Sequence, residues 1–380
     1  MMGAMKRRVK VFFSAFVAML VLAEVVWAED LLVPVLAPVA VPATAPVVSV
    51  VPAALPEVPV VPAALPEEVP EAIPPLGVVD PLRPYDSQRL YEDVRTLARF
   101  YPEVLSLASI GQSALGNNIP LLKLGGGERH VLWVGAIHGR EVMTCAFLLL
   151  IAEEYAHAYC NLAPYDAYSA DKVHDLLDEF TVYFVPMANP DGVDVVTAEG
   201  PALVPIYSRE TWKSNAGGVN LNRNFPFDWD SNSFDGFSNN YLSNKGPLPA
   251  SEPETLALMA LCEENAFEFL VSCHCSGRVL YWRDDKNGET PGDELLARTI
   301  AKLTGYAMLP STKRALNGWA GGLENWFRDR YNRPAICLEL GLFDTADAAT
   351  AAQFHTEEMA NWPVNKNLVW GVLESLSGSF

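Results

Sequence analysis

Basic side chains are scarce in this sequence. Lysine and arginine together number 27 against 46 aspartates and glutamates, giving a formal charge of −19 at pH 7. So acidic a surface repels nucleic acid and anionic membranes, and neither is expected as a partner. Cysteine is sparse as well. The six cysteines (145, 160, 262, 273, 275 and 337) are too few and scattered for a disulfide framework, and no CxxC pair offers a thiolate metal site. Cys273 and Cys275 lie two apart in a strand-like run, where a bond between them would be strained. Beyond residue 23 no segment is apolar enough to cross a membrane, so no span is expected in the mature chain.

What is present begins with Lys6, Arg7, Arg8 and Lys10, an apolar run from Val11 to Ala23, and Val26-Trp27-Ala28, with small residues at the two positions a signal peptidase reads. This is the three-part pattern of a secretory signal cleaved after Ala28. The alternative, an uncleaved anchor, would need a longer run. Export to the periplasm or cell envelope is the expected localisation. Residues 29–79 are mostly Pro, Val, Ala, Leu and Glu, and the stretch Val51 to Glu57 recurs at Val61 to Glu67. Proline removes backbone donors and disfavours helix, so this reads as an extended spacer without a core. Residues 80–380 have no further composition break and read as a single α/β domain.

Within that domain Tyr85 to Tyr101 has helical spacing, followed by strand-like runs at Leu105–Ile110 and Ile119–Leu124. Val131 to Ile137 is a continuous apolar run, as in a strand buried on both faces. It breaks at His138-Gly139-Arg140, and a mostly apolar helix is predicted from Glu141 to Tyr159. Phe180–Val185, Phe269–His274 and Ala335–Leu340 read as further buried strands. Asn189-Pro190-Asp191-Gly192 reads as a turn, and Pro253–Glu264 as a helix with Ser251 and Glu254 forming a capping box. This alternation predicts a mixed, largely parallel central sheet with helices on both faces and ligands at the carboxyl ends of its strands.

His138-Gly139-Arg140-Glu141 places an imidazole and a carboxylate three apart, a spacing that lets both reach one metal. A surface histidine followed by a glutamate at a helix start has the same spacing, so the motif alone decides little. His274 closes an apolar strand, where a histidine is more often a satisfied core residue. Two histidines and one carboxylate, however, form a recurrent catalytic zinc set that leaves a position for water. A metal so held lowers the pKa of that water and polarises a carbonyl. Glu339 lies inside an apolar strand, where a carboxylate is costly unless it is paired or catalytic. Beside such a water it can act as general base.

These residues, taken with Asn189-Pro190-Asp191-Gly192 and Asn220-Leu221-Asn222-Arg223-Asn224-Phe225, resemble the zinc carboxypeptidase family from about Tyr85 to Leu342. The resemblance implies one zinc per chain held by His138, Glu141 and His274, with Glu339 as base. It also implies a substrate carboxylate held by Asn222 and Arg223, the planar fork of arginine suiting that task. Arg140 and Lys213 are candidates for stabilising the oxyanion. The sequence departs from the family pattern at Lys213, where an arginine is usual, and at Asn220, where an aspartate usually steadies the first histidine. It departs again at Asn317, where a mobile tyrosine is usual.

The runs Cys273 to Trp282, Gly246 to Glu254 and Gly321 to Phe327 are more similar to bacterial γ-D-glutamyl-L-diamino acid endopeptidases of this family. That similarity implies cleavage between γ-D-glutamate and diaminopimelate, with a peptide or muropeptide as substrate. Glu324 falls where the family sets side-chain specificity, and a carboxylate there favours an ammonium; a solvated glutamate at a helix start is the alternative. Two other readings remain: a carboxypeptidase acting on ordinary C-termini, and a wall-peptide-binding module without catalysis.

Overall fold

The computed structural model describes residues 76–81, 83–197, 211–231, 244–284, 286, 288–311, 320–341 and 362–377. The expected signal, nearly all of the spacer and Asn317 lie outside them. Eight strands form one sheet: β1 (Leu105–Gln112), β2 (Asn118–Leu124), β3 (Arg129–Val134), β4 (Phe180–Val185), β5 (Phe267–Cys275), β6 (Val279–Asp284), β7 (Ala307–Ser311) and β8 (Ala335–Leu340). Their order is β1-β2-β4-β3-β5-β8-β6-β7. The run β4-β3-β5-β8 is parallel, and antiparallel pairings join it to β2 on one side and β6 on the other. The mixed α/β sheet expected from the sequence is therefore present.

The parallel strands sit at the centre because they are apolar on both faces. Alternation splits Val131 to Val134 between two cores: Val131 and Trp133 pack on one side, Leu132 and Val134 on the other. The larger core receives helices α1 (Ser87–Phe100), α2 (Met143–Cys160) and α3 (Ala170–Glu179). It also receives α6 (Asp293–Thr304) and α8 (Leu368–Ser377). The smaller core lies under α5 (Pro253–Glu264) and α7 (Leu323–Tyr331). Among the described residues no helix is long and apolar enough to cross a membrane.

Three local readings are corrected. The Asn189-Pro190-Asp191-Gly192 turn is the start of a helix, α4 (Pro190–Thr197), whose first turn is capped when Asn189 Oδ1 accepts from the Gly192 N–H at 2.9 Å. The capping box on α5 is not made. Glu252 is the N-cap residue, and Glu254 instead accepts from the Ala114 N–H at 2.9 Å and from Asn215. Glu141 precedes α2 rather than opening it. All six cysteines are free thiols.

Glu153 on α2 is 1% exposed, a burial that costs several kcal/mol for an unpaired carboxylate. It accepts three backbone N–H bonds, from Gly77 and Val78 at 2.8 Å and Val79 at 3.0 Å. The last residues of the 29–79 stretch are thereby pinned to the sheet's covering helix.

Candidate active site

β3 ends at Val134, and beyond Gly135 the chain turns through Ala136 at a φ of 43° before reaching His138. Thr144, in the first turn of α2, holds this loop. Its hydroxyl accepts from the Ala136 N–H at 2.7 Å and donates to the Glu141 carbonyl at 2.7 Å. The Glu141 N–H donates to the His138 carbonyl at 3.0 Å, a tight turn that sets the two side chains side by side. The motif needs its glycine for packing. A Cβ on Gly139 would lie 2.3 Å from the Gly192 carbonyl oxygen, and one on Gly192 would lie 2.3 Å from that of Ser214. The metal loop, the α4 cap and the Trp212–Ser214 segment therefore stack backbone on backbone.

His274 arrives from elsewhere. It is the penultimate residue of β5 and lies directly beside Glu339, the penultimate residue of β8. His138 Nδ1 is 2.8 Å from Glu141 Oε1, and His274 Nδ1 is 2.9 Å from Glu141 Oε2 and 3.2 Å from His138 Nδ1. All three residues are buried. Asn220 Oδ1 accepts from the Asn222 N–H at 3.0 Å, which fixes its amide orientation, so His138 Nε2 donates to it at 3.2 Å. That tautomer leaves the His138 Nδ1 lone pair facing the carboxylate. Ser272 Oγ, 3.0 Å from His274 Nε2, provides the equivalent support there.

Two ring nitrogens and a carboxylate converging this closely need a cation among them. Burial pushes His138 down to about 3; it would lower His274 too, but Glu141, with Glu339 and Glu324, holds that imidazole above its usual value. Burial would raise Glu141, but His138, His274 and Lys213 together keep it well below the carboxylate range. The donor atoms lie within 4.8 Å of one another, and two imidazoles with one carboxylate suit zinc. The residues present fit one such ion.

A cavity of about 110 Å³ opens beside this group. His138, His274 and Glu339 line it together with Lys213, Asn222, Arg223 and Glu324. Glu339 is half-buried. Desolvation raises its carboxyl to about 7 with help from Glu141, opposed by His274, Lys213 and Arg140. Lys213 Nζ lies 3.7 Å from Glu141 Oε1. Arg140 acts on Glu339 electrostatically, its N–H donates to the Trp212 carbonyl at 2.9 Å, and it is not among the described residues lining the cavity.

Asn222 and Arg223 stand on a short 3₁₀ turn, Leu221–Arg223. Asn222 Oδ1 accepts from the Leu323 N–H at 2.8 Å, and a Cβ on Gly321 would lie 2.1 Å from the Arg223 carbonyl oxygen. The start of α7 is thus pressed against the arginine. This brings Glu324 into the same cavity, 7% exposed, with Oε1 accepting from Asn325 at 3.2 Å and Oε2 without a partner among the described residues. Among the described residues no ion pair joins Glu324 to Arg223.

Sequence reasoning missed Thr144, Ser272, Tyr281, Ser311 and Cys337. For two of them a signal existed. Ser272 and Cys337 precede His274 and Glu339 by two residues in strands, so they share their faces.

A buried two-histidine, one-carboxylate group beside a second, weakly acidic carboxylate defines a single-metal hydrolytic centre. The chain belongs to the zinc carboxypeptidase family, whose pattern matches residues 90–360. Similar chains include γ-D-glutamyl-L-diamino acid endopeptidase 1 of Lysinibacillus sphaericus, 28% identical over 68% of this chain and 65% of that one. The carboxypeptidase N catalytic chain of Mus musculus is 30% identical over 57% of this chain and 51% of its own length. The chain thus spans about half to two thirds of these relatives. In fold it is similar to bovine thrombin-activatable fibrinolysis inhibitor, with a TM-score of 0.63 and 18% identity over 79% of this chain and 99% of that one.

Proposed function

We propose that this zinc metallopeptidase hydrolyses the amide bond between γ-D-glutamate and diaminopimelate in peptidoglycan stem peptides. The observation that carries the reading is Glu324. Its carboxylate is nine-tenths buried, has an oxygen unpartnered among the described residues, and shares one cavity with the metal group and Arg223. Such a group is costly to bury unless a ligand supplies a cation. A substrate with a carboxylate for Arg223 and a side-chain ammonium for Glu324 satisfies both charges, and diaminopimelate has that chemistry. The endopeptidase relative, named for the bond it cleaves, agrees with it.

His138, Glu141 and His274 would hold the zinc. When bound, it supplies the Lewis acidity that polarises the scissile carbonyl. Glu339, near neutrality in its acidity, takes a proton from the attacking water and passes it to the leaving amine. Asn222 and Arg223 fix the substrate carboxylate, and the Lys213 ammonium stands at the metal end of the cavity, where charge develops on the carbonyl oxygen. Export to the periplasm or cell envelope, read from the first 28 residues, fits a wall-derived substrate.

A second reading, removal of C-terminal residues from ordinary peptides, is favoured by the carboxypeptidase N relative. The two separate in one assay. The zinc-loaded protein is incubated with L-alanyl-γ-D-glutamyl-meso-diaminopimelate and with α-linked peptides ending in lysine or phenylalanine, and products are identified by mass. Release of diaminopimelate alone supports the proposal. Release of lysine or phenylalanine with the muropeptide intact rejects it for the carboxypeptidase.

A further inference from the structure

The cavity also holds hydroxyl groups to which the chemistry above gives no task. In β6, Leu280 and Trp282 pack into the larger core, which turns Val279 and Tyr281 to the opposite face. That is the cavity face. Tyr281 stands opposite Cys337 on β8 and Leu309 on β7, while Val279 stands opposite Glu339. Tyr281 therefore sits one side-chain step along the face from the proposed base. Ser311, at the end of β7, lines the same cavity. Among the described residues no group is hydrogen-bonded to the Tyr281 hydroxyl. Burial, with Glu339 and Cys337 nearby, raises its pKa, so the phenol keeps its proton and stays a neutral donor.

Among the described residues, the lysine and arginine lining the cavity are Lys213 and Arg223. Lys213 faces Glu141, and Arg223 is committed to the carboxylate next to the scissile amine. Diaminopimelate, however, ends in a second amino-acid head, an ammonium and a carboxylate on one carbon. Glu324 answers the ammonium. Its negative charge would repel the second carboxylate unless donors stand close by, and among the described lining residues the donors left are the Tyr281 and Ser311 hydroxyls and the weaker Cys337 thiol.

The geometry points to Tyr281 and Ser311 as the residues that read the side-chain carboxylate of diaminopimelate, beside the ammonium held by Glu324. This rests on the substrate class proposed above and goes further, because it predicts how diaminopimelate is told from lysine. Lysine has the same ammonium and lacks the carboxylate. A site built to hydrogen-bond a substrate group discriminates against an analogue without it, since its own polar groups are then left unpaired.

The test compares kcat/KM of the zinc-loaded full chain on L-alanyl-γ-D-glutamyl-meso-diaminopimelate and on the matching lysine peptide. The wild type is expected to favour diaminopimelate. Tyr281→Phe keeps the ring and removes the hydroxyl. It should lower the diaminopimelate value about tenfold more than the lysine value, the range for a lost hydrogen bond to a charged group. Ser311→Ala should shift the same ratio in the same direction. As a binding readout apart from turnover, the inhibition constant of free meso-diaminopimelate should rise in both variants, and that of free lysine should not. A ratio unchanged in both variants, or equal losses on the two peptides, overturns the assignment of the hydroxyls while leaving the peptidase reading intact. Failure of the wild type to cleave either peptide overturns both.

Discussion

The two ends of this cavity differ in how completely the protein satisfies its own polar groups. At the metal end each donor has a partner behind it: Asn220 for His138, Ser272 for His274, Lys213 for Glu141. At the far end none of the described residues is hydrogen-bonded to Glu324 Oε2 or to the Tyr281 hydroxyl. The first arrangement fixes geometry before any ligand arrives, as precise chemistry requires. On the proposed function, the second is completed only by a substrate of matching charge, and specificity would reside there.

The sharpest way to separate the two ends is Glu339→Gln. Turnover should fall about a thousandfold, the loss expected when a general base is removed, while zinc content by elemental analysis stays at one per chain. Substantial activity in that variant, or loss of its zinc, would break the division between holding the metal and moving the proton. Next in size is Asn220→Ala. Loss of this support should weaken zinc about ten- to a hundredfold, read by chelator competition, with the preference among substrates unchanged. Glu324→Gln should do the reverse. It should cost about tenfold in kcat/KM on an ammonium-bearing substrate and leave zinc affinity alone. An equal loss on a substrate without the ammonium would show that Glu324 is structural.

The pH dependence is gentler. Desolvation raises Glu339 to about 7, and a base works only when ionised, so activity is lost as pH falls through that value. A bound zinc cation favours the ionised carboxylate and moves the acid limb lower. A rate profile whose midpoint lies at or below about pH 7 agrees; one that rises toward acid contradicts the assigned role.

The metal end was the more legible in the sequence, and the reason is covalent proximity. His138 and Glu141 lie in one short turn, and His274 and Glu339 each interrupt an apolar strand, a placement with few physical excuses. Even there the geometry was misread in one respect: Glu141 owes its place to the Thr144-locked loop rather than to a helix surface. The α5 capping box failed because Glu254 is drawn to Ala114 and Asn215, tertiary partners that local pattern does not reveal. Tyr281 was hidden for the same reason. Its importance comes from the pairing of β6 with β8, strands whose adjacency follows from sheet order and not from chain order.

The most direct test of the whole account is a structure of zinc-loaded Glu339→Gln with intact L-alanyl-γ-D-glutamyl-meso-diaminopimelate. The account predicts zinc on His138, Glu141 and His274, one substrate carboxylate on Arg223, and the side-chain ammonium within hydrogen-bond distance of Glu324 Oε2. A substrate whose ammonium points to solvent while Glu324 stays unpaired would contradict it.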